Sequence, residues 1–71
     1  MEEESIKEII KEVSKSMEKK GYDAVTQLVG YIISNDLGYI PKFDDNRKKM
    51  AKLDRTVIVE NILRDYLKWD I

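Results

Sequence analysis

Cysteine and histidine are both missing from this chain of 71 residues. Without cysteine there is no disulfide framework and no thiolate metal site. Without histidine the usual general base at neutral pH and the commonest zinc ligand are gone as well, so catalysis is not expected. No apolar run approaches the ~20 residues that a bilayer-spanning helix needs, and no apolar region follows a basic start as in a secretory signal. A cytoplasmic location without membrane insertion is therefore expected. Net charge is also scarce: charged residues make up 38% of the chain, yet the formal balance is only -1. Such a balance describes mixed, solvated faces and argues against a polyanion-binding domain.

The length allows one domain, spanning 1–71, and a domain this small buries only about 60% of the surface its unfolded chain exposes. With no covalent or metal staple available, tight helix packing or association with a second copy must supply the missing core. Association is the reading favoured here.

Helical patterning fills most of what remains. From Ser5 to Lys20, Ile6, Ile9, Ile10, Val13 and Met17 fall on one stripe, with Glu and Lys on the other faces. Ser5 and Glu8 have the form of a capping box. Glu2, Glu3 and Glu4 precede them at the positive end of the helix dipole. Lys19 and Lys20 suit the negative end, and Gly21 is placed to stop the helix in the left-handed conformation, with Tyr22 able to fold back onto Met17. A second helix is expected from Asp23 as N-cap through Ala24, Val25, Leu28, Val29, Ile32 and Ile33, ending at Ser34, Asn35 and Asp36. Its dense apolar content predicts the central, most buried element. Leu37 to Phe43, with Gly38 and Pro41, reads as an ordered loop. A short third helix over Arg47 to Leu53 takes its cap from Asp44, Asp45 or Asn46. The last helix starts from Asp54, with Leu53 and Ile58 as a hydrophobic staple, and runs toward Trp69 with Val57, Ile58, Ile62, Leu63, Tyr66 and Leu67 inward. The predicted fold is all-α, a small bundle of about four helices forming a homodimer.

Every glycine lies between Gly21 and Phe43, and each is followed by tyrosine. The three pairs are not a repeat, because they fall at a helix stop, in a helix interior and in a loop. Gly30, inside the second helix, costs roughly 1 kcal/mol relative to alanine and is reasonable where another backbone approaches closely. The glycine spacing is not that of a phosphate loop. Asp44 and Asp45 read as caps rather than cation ligands, so no metal or cofactor is assigned. The basic segment Lys42 to Arg55, through Arg47, Lys48, Lys49, Lys52 and Arg55, could face phosphate, and Tyr39 and Phe43 could stack on bases. Asp44, Asp45 and Asp54 interleave with it, and a solvated helix face explains it better. A small nucleic-acid-binding protein is nonetheless the alternative reading. The rings of Tyr31, Tyr39 and Phe43 suit a subunit or partner interface, with Leu28, Ile32, Ile40 and Pro41 completing the surface.

The run KKGYDAVTQLVGYIISNDLGYIPKFDDNR and the later LDRTVIVENILRDYL resemble the IreB family of small cytoplasmic proteins from Gram-positive bacteria, over Lys20 to Leu67. That resemblance implies an all-helical, dimeric regulatory protein rather than an enzyme. It also implies modulation of signalling by a transmembrane Ser/Thr kinase that senses envelope stress, restraint of cephalosporin resistance, and an unidentified downstream protein as partner. The chain departs from the family pattern at Ala24, where proline is usual, and at Asn35, Asp36, Leu37 and Gly38, where Gly-Asp-Pro is usual. The family's phosphoacceptor threonines precede the first helix, whereas here the first threonine is Thr26. Ser5 is the hydroxyl nearest the first-helix start and the candidate phosphoacceptor.

Overall fold

The computed structural model describes residues 3–68, with side chains from residue 5 onward. Four α-helices occur in order: α1 (Glu3–Lys19), α2 (Ala24–Ser34), α3 (Asn46–Ala51) and α4 (Arg55–Leu67). Two 3₁₀ turns, Leu37–Tyr39 and Phe43–Asp45, lie between α2 and α3, and no strand is present among the described residues.

Helix α1 carries the floor of the core, because Ile6, Val13 and Met17 recur on the face that α2 and α3 cover. It begins before Ser5, which therefore sits inside the first turn and not at the cap as the Ser5–Glu8 pattern predicted. Glutamate is a good helix former, so the helix extends back through Glu4 to Glu3, and Glu2 lies outside the described residues. Its other end closes as expected. Gly21 has φ +87°, its N–H donates to the Glu18 carbonyl at 3.0 Å, and the Tyr22 N–H reaches back to the Met17 carbonyl at 3.0 Å. This is a Schellman closure, in which the left-handed residue lets two orphan carbonyls find donors. Tyr22 then turns to Phe43, its ring 5.9 Å away, while Lys20 Nζ stands 5.5 Å from the same Phe43 ring.

Asp23 caps α2, accepting from the Val25 N–H at 3.2 Å and from the Thr26 hydroxyl at 2.8 Å. Glu18 of α1 takes the Ala24 N–H at 2.9 Å, so the two helices share a hydrogen-bonded corner. The helix ends in the predicted polar cluster: Asn35 adopts φ 60°, and the Asp36 side chain accepts from the Gly38 N–H at 2.8 Å to start the next turn. Contrary to expectation, α2 is not the most buried element. Ala24 and Tyr31 are buried and Leu28 and Ile32 are packed against the core, but Val25, Val29 and Ile33 face outward. A helix with apolar residues on more than one face can cover only one of them in a bundle of this size.

The apolar loop is ordered as predicted, and it contributes Ile40, which is fully buried, to the core beside Met50, Leu53 and Ile58. Gly30 meets the side chain of this loop and not a backbone: a Cβ there would lie 2.4 Å from Tyr39 Cδ1. Helix α3 is also capped differently from expectation. Asp44 and Asp45 both adopt left-handed angles, φ 56° and 58°, and Asp45 makes no side-chain capping bond. Asp44 instead accepts from the Ser16 hydroxyl at 2.6 Å, and that hydroxyl accepts from Asn46 Nδ2 at 2.9 Å. Asn46 is fully buried, so this chain of bonds ties the start of α3 to α1.

Helix α4 starts as predicted, with Asp54 accepting from the Thr56 N–H at 2.8 Å and with Leu53 and Ile58 both in the core. Its later turns differ from the prediction. Of the residues assigned inward, Ile58 is buried and Val57 is packed against the core, whereas Ile62, Leu63, Tyr66 and Leu67 are exposed. The helix stops at Leu67 with Lys68 left-handed at φ 54°. Trp69 lies outside the described residues.

Candidate interaction surface

The residues expected at an interface divide sharply by burial. Tyr31 and Ile40 are spent in the core of this chain, which leaves them no free surface. Leu28, Ile32, Pro41 and Phe43 are half-buried, and Tyr39 lies over Gly30 with 42% of its surface exposed. The apolar surface that remains lies elsewhere. On α2 it is the stripe Val25, Val29 and Ile33, exposed by 69%, 49% and 78%. Spacing of four residues places all three on one side of the helix. No residue of α2 is charged, so nothing on this face favours water over a partner. On α4 the exposed set is Ile62, Leu63, Tyr66 and Leu67.

The molecule is elongated, 38 × 21 × 19 Å, and most of its exposed apolar side chains are gathered on these two helix faces.

Arg47, Lys49 and Arg55 of the basic segment bond within the fold. Arg47 Nε donates to the Ile40 carbonyl at 2.6 Å, fixing the apolar loop, and Arg55 donates to the Ile32 carbonyl at 2.7 Å, tying α4 to α2. Lys49 pairs with Glu12 of α1 at 3.8 Å. Lys48 and Lys52 remain exposed. A phosphate-binding face would need these cations pointing together into solvent. Arg47 and Arg55, the two best suited to phosphate, are instead half-buried on carbonyls of the chain itself.

Ser5 is exposed in the first turn of α1. Thr26 and Thr56 occupy the first turns of α2 and α4, where each belongs to an Asp-capped start. Among the described residues no cluster of three or more His, Cys, Asp or Glu side chains could hold a metal ion, and no helix is long and apolar enough to cross a membrane. Sequence reasoning pointed to α2 and the loop after it, but missed which side of α2 stays outside. The spacing of Val25, Val29 and Ile33 was the available signal, since it runs beside the inner stripe Ala24, Leu28 and Ile32 at the same period.

A small all-helical fold that presents apolar helix faces and a Gly-Tyr loop fits a protein that works by contact. The comparison with known families agrees: residues 1–68 match the family described as IreB regulatory phosphoprotein, a span that reaches the first helix as well as the central runs. The chain belongs to the IreB family of regulatory phosphoproteins.

Proposed function

We propose that this protein is a non-enzymatic regulatory homodimer in the cytoplasm of a Gram-positive bacterium. It modulates signalling from an envelope-sensing Ser/Thr kinase and thereby cephalosporin resistance. The family match supports the regulatory class. The observation that carries the dimer is the uncharged outer stripe of α2, Val25, Val29 and Ile33. That stripe is symmetric about Val29, so an antiparallel copy of α2 laid across a two-fold axis sets Val25 against Ile33 of the second copy. Antiparallel pairing also places each helix start beside the other's end, the favourable arrangement of dipoles. Tyr39, Pro41 and Phe43 lie on the loop that follows α2 and form the edge of this interface.

Phosphorylation enters at Ser5, whose exposure and position in the first turn let a phosphate meet the positive helix end. Treatment with the cognate kinase followed by mass spectrometry tests this, and an unmodified Ser5 refutes it. Sedimentation equilibrium tests the dimer. The wild-type chain is expected to sediment as a dimer and Val29→Glu as a helical monomer. A concentration-independent wild-type monomer would end the reading.

A further inference from the structure

The side of α1 away from α3 carries a surface that the dimer through α2 leaves unused. Between the first half of α1 and the later turns of α4 runs a groove of about 520 Å³. Its apolar lining is Ile6 and Ile10 from α1 and Ile62 from α4. Lys7, Lys11 and Arg64 rim it, against one acid, Asp65. The next turns of the same α1 face meet α2 in a second hollow, Ser14, Lys15 and Glu18 with Ala24, Val25 and Leu28, but Val25 there belongs to the dimer stripe, so the free surface is the groove against α4. Lys7 and Lys11, about one turn apart on α1, stand on the same side of the helix and line the groove together.

Acids and lysines alternate along the exposed side of α1, where Glu8 lies beside Lys11 and Lys15, Glu12 pairs with Lys49 of α3 and Glu18 is occupied by the Ala24 N–H. The groove itself is lined by three cations, Lys7, Lys11 and Arg64, against Asp65 alone. Among the described side chains no acid lies within ion-pair distance of Lys7, Lys11 or Lys15. The groove lies between α1 and α4, and its two walls keep a flat membrane surface from reaching the floor.

We infer that this trough docks an acidic amphipathic helix of a partner protein, its apolar stripe against Ile10 and Ile62 and its carboxylates along Lys7, Lys11 and Arg64. Helix-in-groove recognition has this anatomy, with apolar anchors giving affinity and rim charge giving selectivity and encounter rate. The inference rests on reading the chain as a module that acts by contact, and it specifies the chemistry of the non-self partner.

The test uses the full chain and two fluorescein-labelled peptides of about 16 residues. Both have leucines along one helical stripe; one carries glutamate on the other faces and the other carries lysine. Fluorescence anisotropy is expected to show saturable binding of the acidic peptide only. Its Kd should rise at least about tenfold in Lys7→Glu/Lys11→Glu, whose exposed positions spare the core, and also in Ile62→Asp. Equal binding of both peptides, no binding of either, or an unchanged Kd in the lysine double variant would overturn the proposal. So would loss of the dimer in that variant, since a second copy would then be the occupant. Sedimentation reports on α2 and anisotropy on the trough, so one reading can fail while the other stands. Binding of anionic phosphatidylglycerol vesicles in place of the acidic peptide would equally refute it.

Discussion

Replacing Gly30 by alanine should destabilise this protein, although the same change inside a helix ordinarily does the opposite. In an unencumbered helix interior, Gly→Ala gains about 1 kcal/mol. Here the new Cβ would fall 2.4 and 2.5 Å from Cδ1 and Cε1 of Tyr39, distances no methyl group tolerates. Backbone on both sides is fixed, by α2 itself and by the loop whose Ile40 is fully buried, so the ring must leave. Tyr39 keeps 42% of its surface exposed. The covered part of such a ring is on the order of 100 Å², which at about 25 cal/mol per Å² is roughly 2.5 kcal/mol. Subtracting the helix gain leaves a net loss of about 1 to 2 kcal/mol. Urea unfolding at a fixed protomer concentration measures it, because any association makes stability concentration-dependent. The decisive control is Tyr39→Ala. In that background Gly30→Ala should reverse sign and stabilise by about 1 kcal/mol, a coupling expected only between residues in contact. Stabilisation of equal size in both backgrounds would show that the ring does not rest on Gly30, and the reasoning would fall.

Gly21→Ala should cost about 1 to 2 kcal/mol for a different reason: an added Cβ meets nothing within 4 Å, but φ of +87° is strained for any residue with a side chain. Urea midpoints for alanine and asparagine at this position should differ, with asparagine recovering part of the loss. Ser16→Ala, nominally favourable to a helix, should destabilise by about 1 to 3 kcal/mol in thermal unfolding. It strands Asn46 Nδ2 in a site where Asn46 Oδ1 already has no partner, and it releases Asp44 from its left-handed position. Met50→Ala, at a fully buried side chain, should cost about 2 to 5 kcal/mol by the same assay, whereas Lys48→Ala on the exposed side of α3 should change stability by less than about 0.5 kcal/mol.

Local rules carried most of the fold. Asp23 and Asp54 cap their helices because a short carboxylate reaches the N–H two residues on, and Gly21 stops α1 because it alone tolerates the angle without strain. Such signals need no knowledge of tertiary structure. The misassigned details share the opposite property. Asp44 and Asp45 look like caps in sequence, but Ser16, twenty-eight residues earlier, draws Asp44 aside, and only the packed structure brings them together. Arg47 and Arg55 read as exposed cations for a similar reason. Their carbonyl partners, Ile40 and Ile32, are backbone groups that no side-chain pattern reveals.

The candidate surface was half legible, and the reason lies in how a helical period reports burial. An apolar stripe shows that a face avoids water, not which neighbour covers it. In α2 the stripe Ala24, Leu28 and Ile32 and the stripe Val25, Val29 and Ile33 are adjacent and carry the same period, so the sequence supports burial of either. The structure separates them, since α1 and the Leu37–Tyr39 turn occupy one side and leave the other open. In α4 the ambiguity is one of length. Ile58 meets the core, but Ile62 and Tyr66, one and two turns on, continue past it. A stripe longer than the core it meets has two possible causes, a chance excess of apolar residues or a partner that prolongs the core. Four exposed apolar side chains gathered on the last turns, Ile62, Leu63, Tyr66 and Leu67, favour the second.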